Sequence, residues 1–372
     1  MKFTCEKTAL VAAINTASRA AAVKSAVPSL EGILIEAEDG VTVTGFDLKT
    51  GIRSSIQADV TEPGDVVINA KIFGDIIRKL PDDVVSMTVN ESTFACEIKC
   101  GMSEFSIMGM TAQDYPDLPT VDFQNSLELK ERVLRDIISR TSFAISDNEA
   151  RPIHTGALFE LDKEFVTVVA VDGYRLALRK EKAESIDVAD SSFVVPGLAL
   201  NEAERICGDS DDIARITVGT KHIMFTIGSN QLISRRLEGD FLNYRNAVPQ
   251  NAKYSLICDR RSLIESVERV SLIISDKFKS PVRCTFRDGE AEFITSSTLG
   301  RAQDRCSIEG DGDNLEIGFN NRYLLEALRA APTDKVCIKL STSVAPCVIV
   351  PTDNSRSFLY MILPVRMRSS EA

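Results

Sequence analysis

The pattern of apolar and polar positions recurs three times along the chain, each time as a short alternating stretch that changes into helical spacing. The copies are Phe3–Ser18, Leu127–Ser142 and Leu256–Ser271. Alternation with a period of two predicts a strand, and apolar residues three and four apart predict a helix. The copies begin 124 and then 129 residues apart, much farther than the spacing of a solenoid repeat. Each copy therefore predicts the start of a whole domain.

The segments after each copy also correspond. Gly32–Asp47 and Gly156–Asp172 each hold two alternating runs around polar turn residues, which predicts a hairpin. Val66–Leu80, Phe193–Ile206 and Ile317–Ala330 each predict a strand followed by a helix. The expected order in each repeat is β-α-β-β-β-β-α-β with antiparallel hairpins, which indicates an α+β fold. Boundaries near Gln124 and Gln250 predict three domains, at residues 1–124, 125–250 and 251–372.

The composition, 44% hydrophobic and 26% charged, is that of a globular protein. The chain has no apolar run near the roughly 20 residues that cross a bilayer, and the first strand pattern begins at once, without a signal-peptide leader. We therefore expect a cytoplasmic protein with no membrane partner. The nine cysteines are an odd number scattered along the chain, which favours reduced thiols over a disulfide framework.

The net charge of −11 argues against a general nucleic-acid binder, but its distribution changes that picture. Within the six predicted helices we count fifteen basic and eight acidic side chains. A phosphate backbone responds to the local field, so basic helices on an acidic protein are compatible with binding DNA. The alternative is that Lys and Arg merely suit helices while Asp and Glu gather in turns.

Three motifs at these intervals resemble the bacterial beta sliding clamp family, the processivity subunit of the replicative DNA polymerase. They are Val171–Leu176 (VDGYRL), Gly239–Pro249 (GDFLNYRNAVP) and the terminal Leu363–Met367 (LPVRM). The resemblance covers the whole chain. It implies three repeated clamp domains in a head-to-tail homodimeric ring, with antiparallel sheets outside and two helices per domain inside. It also implies sequence-independent binding of double-stranded DNA through phosphate contacts.

The resemblance further implies a hydrophobic cleft that captures short peptide motifs of the polymerase catalytic subunit, the clamp loader and repair proteins. Aliphatic side chains suit such an adaptable groove, and Tyr174 and Arg175 are expected to supply a few fixed polar contacts. Carried onto matching positions, the cleft residues are Val171, Gly173, Tyr174, Arg175, Leu176, Leu242, Ala247, Val344, Met361, Ile362, Leu363, Pro364, Val365, Arg366 and Met367. The alternative is that the terminal motif is only a last core strand and VDGYRL only a strand end with a turn.

Other residues match family positions outside the cleft. Lys24 and Asn148 match DNA-contacting residues, while Phe105, Leu272 and Ile273 match the dimer interface or, alternatively, are ordinary core residues. The chain departs from the family pattern at three places: His154 replaces an apolar cleft residue, Leu242 replaces a frequent proline, and Arg368–Ala372 extends past the terminal motif.

No catalytic or metal-binding constellation accompanies these motifs. The two histidines have no cysteine pair at zinc spacing, and the Asp clusters at 209–212 and 311–313 lack the later ligands of a calcium loop. We therefore expect a non-catalytic accessory subunit without a cofactor. Two other hypotheses stay open: an enzyme or small-molecule-binding protein built from repeated α+β domains, and a clamp paralogue with altered partners.

Overall fold

The computed structural model describes residues 1–121, 125–187, 191–274, 280–353 and 355–367. The predicted boundary at Gln124 and the tail Arg368–Ala372 lie outside the described residues. The chain forms two compact units. The first comprises Met1–Arg135, Ala183–Val188 and Leu198–Arg236, and the second comprises Asp136–Lys182, Ala189–Gly197 and Leu237–Ala372.

All described strands pair antiparallel, and each repeat has two helices of nine residues or more. The first repeat contains β1 (Lys2–Glu6), α1 (Lys7–Ala17), β2 (Gly32–Ala37), β3 (Val41–Phe46), β4 (Thr50–Ile56), β5 (Asp59–Glu62), β6 (Gly64–Asn69), α2 (Ala70–Lys79), β7 (Val84–Val89), β8 (Ala95–Cys100) and β9 (Ser103–Met108). The second contains β10 (Ser126–Lys130), α3 (Glu131–Ser139), β11 (Gly156–Asp162), β12 (Phe165–Val171), β13 (Arg175–Lys182), β14 (Ser185–Ile186), β15 (Ser192–Pro196), α4 (Gly197–Ile206), β16 (Ile213–Val218), β17 (His222–Ile227), β18 (Asn230–Arg235) and the one-turn α5 (Tyr244–Ala247). The third contains β19 (Tyr254–Asp259), α6 (Arg260–Ser271), β20 (Val282–Arg287), β21 (Glu290–Ser297), β22 (Gly300–Glu309), β23 (Leu315–Phe319), α7 (Asn321–Ala330), β24 (Lys335–Leu340), β25 (Cys347–Pro351) and β26 (Phe358–Ile362).

The sheets connect one repeat to the next within each compact unit. In the first unit β18 pairs with β4, so that one sheet runs β14-β10-β16-β17-β18-β4-β3-β2-β6. In the second unit β26 pairs with β13 in the same way. These two joints explain why the compact units cross the repeat boundaries.

The burial of equivalent leucines confirms the repeated apolar pattern of α1, α3 and α6. Leu10, Leu134 and Leu263 occupy the same position of the pattern, and all three side chains are buried. Removing one such side chain from water contributes about 2 kcal/mol. Several helices begin at a side-chain cap, as where the Asn69 amide oxygen accepts a hydrogen bond from the N–H of Ile72 at 3.0 Å.

The predicted order of elements contained too few strands. The first two repeats have five strands between their helices and three after the second helix, whereas the third has a single long β22 that reaches both β21 and β19. Strands such as β4 and β22 carry polar residues on much of their surface, so the apolar pattern does not reveal them. The last predicted strand, Phe358–Met367, ends at Ile362.

The count of basic residues in helices also needs correction. Arg19 lies in a 3-10 turn, Lys130 ends β10, and Arg140 follows α3, so the six long helices hold twelve basic and eight acidic residues. Several of these bases are already paired, for example Arg261 with Glu265 at 2.8 Å. The excess of positive charge on the helices is therefore smaller than the sequence pattern predicts.

All nine cysteines are free thiols, seven of them buried, as predicted. Across the described ranges, no helix has the length and apolar character needed to span a membrane.

Candidate functional site

The cleft residues of the three motifs meet on one face of the sheet in the second unit. Val171 ends β12 opposite Leu176 of β13, and Leu176 lies opposite Met361 of β26. These three side chains pack in one apolar cluster with Tyr244 of α5. Residues almost 200 positions apart in the sequence therefore form a continuous apolar floor.

The turn beside this floor is held by an aspartate. Asp172 Oδ1 accepts hydrogen bonds from the N–H groups of Tyr174 at 3.0 Å and Arg175 at 3.1 Å. Gly173 between them has φ 90°, a conformation that favours glycine. The result is that Tyr174 projects from the turn with 62% of its surface exposed.

Arg175 is the best-anchored residue of the site. Its side chain is buried, Nε donates to Asp172 at 2.7 Å, and Nη1 donates to Glu326. The guanidinium also lies 4.4 Å from the ring centroid of Tyr323. Burial alone would raise the pKa of Glu326, but hydrogen bonds from Arg175 and Arg322 outweigh it and hold that pKa below 4.5. Because these groups occupy the guanidinium, Arg175 orients the turn, and its role as a polar contact for a ligand stays a prediction.

The terminal segment runs past the turn outside the sheet. The N–H of Leu363 donates to the Tyr174 carbonyl at 2.8 Å, and the N–H of Val365 donates to the Gly318 carbonyl at 2.8 Å. A Cβ at Gly318 would lie 2.8 Å from Cγ of Met367, so Met367 packs directly over this glycine. Ile362 is buried at the end of β26, while Pro364 is half-buried and Arg366 is exposed.

The opposite side of the floor is formed by the segment around α5. The Tyr244 hydroxyl donates to Glu160 at 2.6 Å, which fixes α5 over the sheet, and burial of this hydroxyl is the main reason why the Tyr244 pKa is raised. Leu242 and Ala247 are exposed on either side of Tyr244. Val344, in the loop between β24 and β25, has 75% of its side chain exposed, and its place in the cleft stays a prediction.

His154 lies in the 3-10 turn Pro152–Thr155, with its ring edge-to-face against Phe241 at 5.7 Å. Burial, and then the nearby charge of Arg151, lower the His154 pKa from its usual value.

Phe241 and Tyr323, which stacks on Tyr174 at 6.2 Å, are site residues that the sequence did not single out. Tyr323 belongs to the helical pattern of α7, which gives no sign of this contact.

The other predicted positions are not members of this apolar cluster. Lys24 and Asn148 are exposed, each six residues after the serine that ends its copy of the repeated pattern. Phe105 lies on β9 with 39% exposure, and Leu272 follows α6 with 83% exposure beside the half-buried Ile273. Within the part of the chain that the structure describes, no group of three or more His, Cys, Asp or Glu side chains is arranged to hold a metal ion.

Family models match the chain from end to end. Residues 1–119 match the N-terminal domain of the DNA polymerase III beta subunit, residues 128–243 the central domain, and residues 245–366 the C-terminal domain.

Curated relatives and solved structures agree with these matches. A beta sliding clamp from Halalkalibacterium halodurans is 32% identical, over 98% of this chain and 100% of the relative. The crystal structure of a DNA polymerase sliding clamp from Bacillus subtilis has a TM-score of 0.94 at 28% identity, over 99% of this chain and 100% of that one. A sliding clamp from Pseudomonas aeruginosa bound to griselimycin has a TM-score of 0.93 at 27% identity, with the same coverage.

The three domain matches and the whole-length relatives confirm the α+β clamp fold and the sliding-clamp function. The family is a non-catalytic processivity subunit of DNA polymerase III that works as a dimer encircling DNA and binds the polymerase and other proteins. This chain belongs to the DNA polymerase III beta subunit family, the bacterial beta sliding clamps.

Proposed function

We propose that the floor formed by Val171, Leu176 and Met361 is the cleft in which this chain captures peptide motifs of its replication partners. The observation that supports this most strongly is the apolar cluster bordered by exposed Tyr174 and Leu242. An apolar floor with a few polar edges suits a short peptide that has hydrophobic anchors. Backbone hydrogen bonds hold both the turn and the terminal segment, so the cleft is largely formed before a peptide binds.

The test is fluorescence anisotropy of a labelled peptide, a Gln followed by Leu and Phe anchors, titrated with this protein. The key variant ends after Ile362, because a shorter chain would lose part of β26 and its pairing with β13. We expect saturable binding by the full chain and at least a tenfold weaker affinity for the truncated chain, since the removed segment forms one wall.

A matched pair of substitutions distinguishes a specific effect on the cleft from general destabilisation of the protein. Tyr174→Ala alters the turn beside the floor, whereas Leu48→Ala alters the corresponding turn of the first repeat, where Asp47 Oδ1 accepts the same two backbone hydrogen bonds. We expect only Tyr174→Ala to weaken peptide binding. Equal affinity of the full and truncated chains would refute this cleft assignment.

The dimer interface that we propose follows from the register of the sheets. Phe3, Leu127 and Leu256 occupy the same position in the three repeats. Following the paired residues across the next three strands of each sheet leads from them to Phe105, Leu232 and Tyr360, respectively. Leu232 and Tyr360 are buried at the two joints, opposite Ile52 and Ala177. Phe105 instead lies on β9, a strand at the end of its sheet.

The matching free edge is the first part of β22, which pairs with β21 there and meets β19 only at Ile308 and Glu309. Its residue Ala302 corresponds to Ile52 and Ala177. We place Phe105 opposite Ala302 of the partner subunit. Phe143, edge-to-face with Tyr360 at 5.6 Å, occupies the repeat position of Leu272, which accounts for the exposure of Leu272 in one chain.

Sedimentation equilibrium tests this interface. Phe105→Ser combined with Leu272→Ser should convert a dimer into a species of 40.8 kDa, the mass of one chain. Met102→Ser, which changes a fully exposed apolar side chain at the turn before β9, should leave the dimer intact. A double variant that stays dimeric at low micromolar concentration would contradict the proposed pairing.

We also propose that Lys24 and Asn148 contact DNA phosphates, because both are exposed at the same position of their repeats. Lys24→Glu should weaken binding to a 30-base-pair duplex and lower the slope of log affinity against log salt by about 1. Lys49→Glu makes the same charge change on another exposed turn and should leave the slope unchanged.

The domain boundaries near Gln124 and Gln250 remain part of this proposal. We place the protein in the cytoplasm, where bacterial DNA is replicated and where nine free thiols are stable.

A further inference from the structure

A second cavity lies on the same sheet face as the cleft, on the far side of Tyr244. This side pocket encloses about 940 Å³ and is lined by residues of β12, β13, β24, β25 and β26 and by the chain after α5. The volume is in the range of ligand sites in proteins. None of the cleft residues proposed above lines it.

The side pocket and the cleft share one apolar surface. Leu176 and Leu178 lie on the same face of β13, and Met361 and Leu359 lie on the same face of β26, since alternate residues of a strand share a face. Leu178, Leu359 and Tyr244 line the side pocket and also pack against the cleft cluster. Two residues along a strand span about 7 Å, so an extended peptide leaving the cleft reaches the side pocket within a few residues.

The rim of the side pocket is positively charged. Lys180, Lys339 and Arg356 line it, and in the described ranges none of the three has a carboxylate partner. A fourth base, Arg245, is neutralised by Glu160, whose oxygens its guanidinium meets at 3.0 and 2.7 Å. No acidic residue is found among the described residues that line the pocket.

The backbone conformation of Arg356 is a second feature that suggests a ligand site at this rim. Its φ is 56°, in the left-handed region that residues other than glycine rarely adopt. Such conformations cost free energy and occur often at ligand sites. The strained loop holds this exposed arginine at the edge of the pocket.

We propose that the side pocket binds an acidic segment that adjoins the peptide in the cleft, on the same partner protein. This inference rests on the proposed peptide cleft and extends it. Apolar side chains of the segment pack on Leu178 and Leu359, while its carboxylates pair with Lys180, Lys339 and Arg356. A nucleic acid would leave that apolar floor uncovered, so the surface suits an acidic peptide better.

The experiment compares three labelled peptides: the Gln-Leu-Phe core alone, and the core with four glutamates joined to either its amino or its carboxyl end. The wild-type protein should bind one of the extended peptides about tenfold more tightly than the core at low salt, because two or three ion pairs form at the rim. Lys339→Glu combined with Arg356→Glu should abolish that gain and leave the core affinity within about twofold. Lys49→Glu combined with Lys221→Glu carries the same charge change on exposed residues outside the pocket and should keep the gain.

The possible failures can be distinguished. If the wild-type protein does not bind the core peptide, both the proposed cleft and this inference are refuted. If the core binds but neither extension strengthens it, or if both double variants lose the gain equally, only the side pocket is refuted. Displacement of the extended peptide by a twelve-nucleotide single strand at equal concentration would show a general anion site and would also overturn the proposal.

Discussion

Replacing Arg175 by alanine is expected to destabilise the second unit, not simply to remove a ligand contact. The guanidinium is buried between Asp172 and Glu326, and both carboxylates are themselves partly buried. Removing one partner of a buried ion pair costs about 3–5 kcal/mol, since it leaves the other charge without compensation. Because Glu326 keeps some exposure and a second base, Arg322, we expect a value near the lower end, about 3 kcal/mol.

The assay is amide hydrogen exchange of β13 and β26 at pH 7, which reports local opening without assuming that the whole chain unfolds in one step. A loss of about 3 kcal/mol raises the exchange rate roughly a hundredfold. Arg322→Ala is the matched control, because Arg322 is an exposed residue bonded to the same carboxylate at 2.9 Å, four positions away on α7. Such exposed pairs contribute about 0.3–0.5 kcal/mol, so exchange should rise only about twofold.

The pH dependence gives an independent check. The pKa of Glu326 is lowered in the folded chain, so its contribution to stability is present above pH 4.5 and is lost as the pH falls through the folded value. The difference between wild type and Arg175→Ala should therefore shrink below pH 4.5. If Arg175→Ala lost peptide affinity but left the exchange of β13 unchanged, the guanidinium would be a ligand contact and this reasoning would be wrong.

Two further substitutions test other parts of the site, and a thiol reagent tests the burial of two cysteines. Gly318→Val should lower peptide affinity by about tenfold without unfolding the sheet, as measured by anisotropy, because its side chain would displace Met367 and the terminal segment. Ala247→Leu should lower the affinity for the same peptide by a similar factor, because the larger side chain would fill the proposed cleft. A variant with unchanged affinity would contradict the placement of Ala247 in the cleft. Burial raises the pKa of the Cys207 and Cys347 thiols from 9.0 to about 12, so a thiol reagent at pH 8 should leave both unmodified until the chain unfolds. The same shift means that unfolded thiols ionise first, so denaturant midpoints should fall as the pH rises from about 9 towards 12.

The sequence predicted the parts of the fold that depend on local pattern. Apolar spacing placed α2 and α7 within a few residues, and the strand β7 at its observed bounds, because the pattern and the burial of one face have the same period. Polar strands such as β22 were missed or shortened, because most of their residues are polar and partly or fully exposed, so they show no apolar alternation.

The site was predicted less completely than the fold. Motifs named Val171, Leu176 and Met361, and the structure brings all three together. The partner of Arg175 could not be found in this way, because Glu326 is 151 residues away and lies in an ordinary helical pattern. Contacts between distant elements depend on the tertiary packing and leave no local signal.

The two joints differ at the place that corresponds to the proposed cleft. By the register of their hairpins, Phe46 and Gly51 in the first repeat correspond to Val171 and Leu176 in the second. A Cβ at Gly51 would lie 2.4 Å from Leu118 Cδ2, so Leu118, three residues after Tyr115, covers this place.

At the second joint the bridge of Leu237 to Val194 matches the bridge of Met110 to Val67 in the first repeat. The chain after Leu237 buries Tyr244 in the cluster of Leu176 and leaves Leu242 exposed. In the first repeat Leu118 thus lies directly against Gly51, whereas in the second we propose that the place beside Leu176 is free for a peptide. On this argument, Leu118→Ala should create a weak second peptide site in the first unit, which the same anisotropy titration would detect. On this proposal a repeated fold carries a single peptide site because the equivalent residues Gly51 and Leu176 differ in size, and Leu118 occupies the space that the glycine leaves.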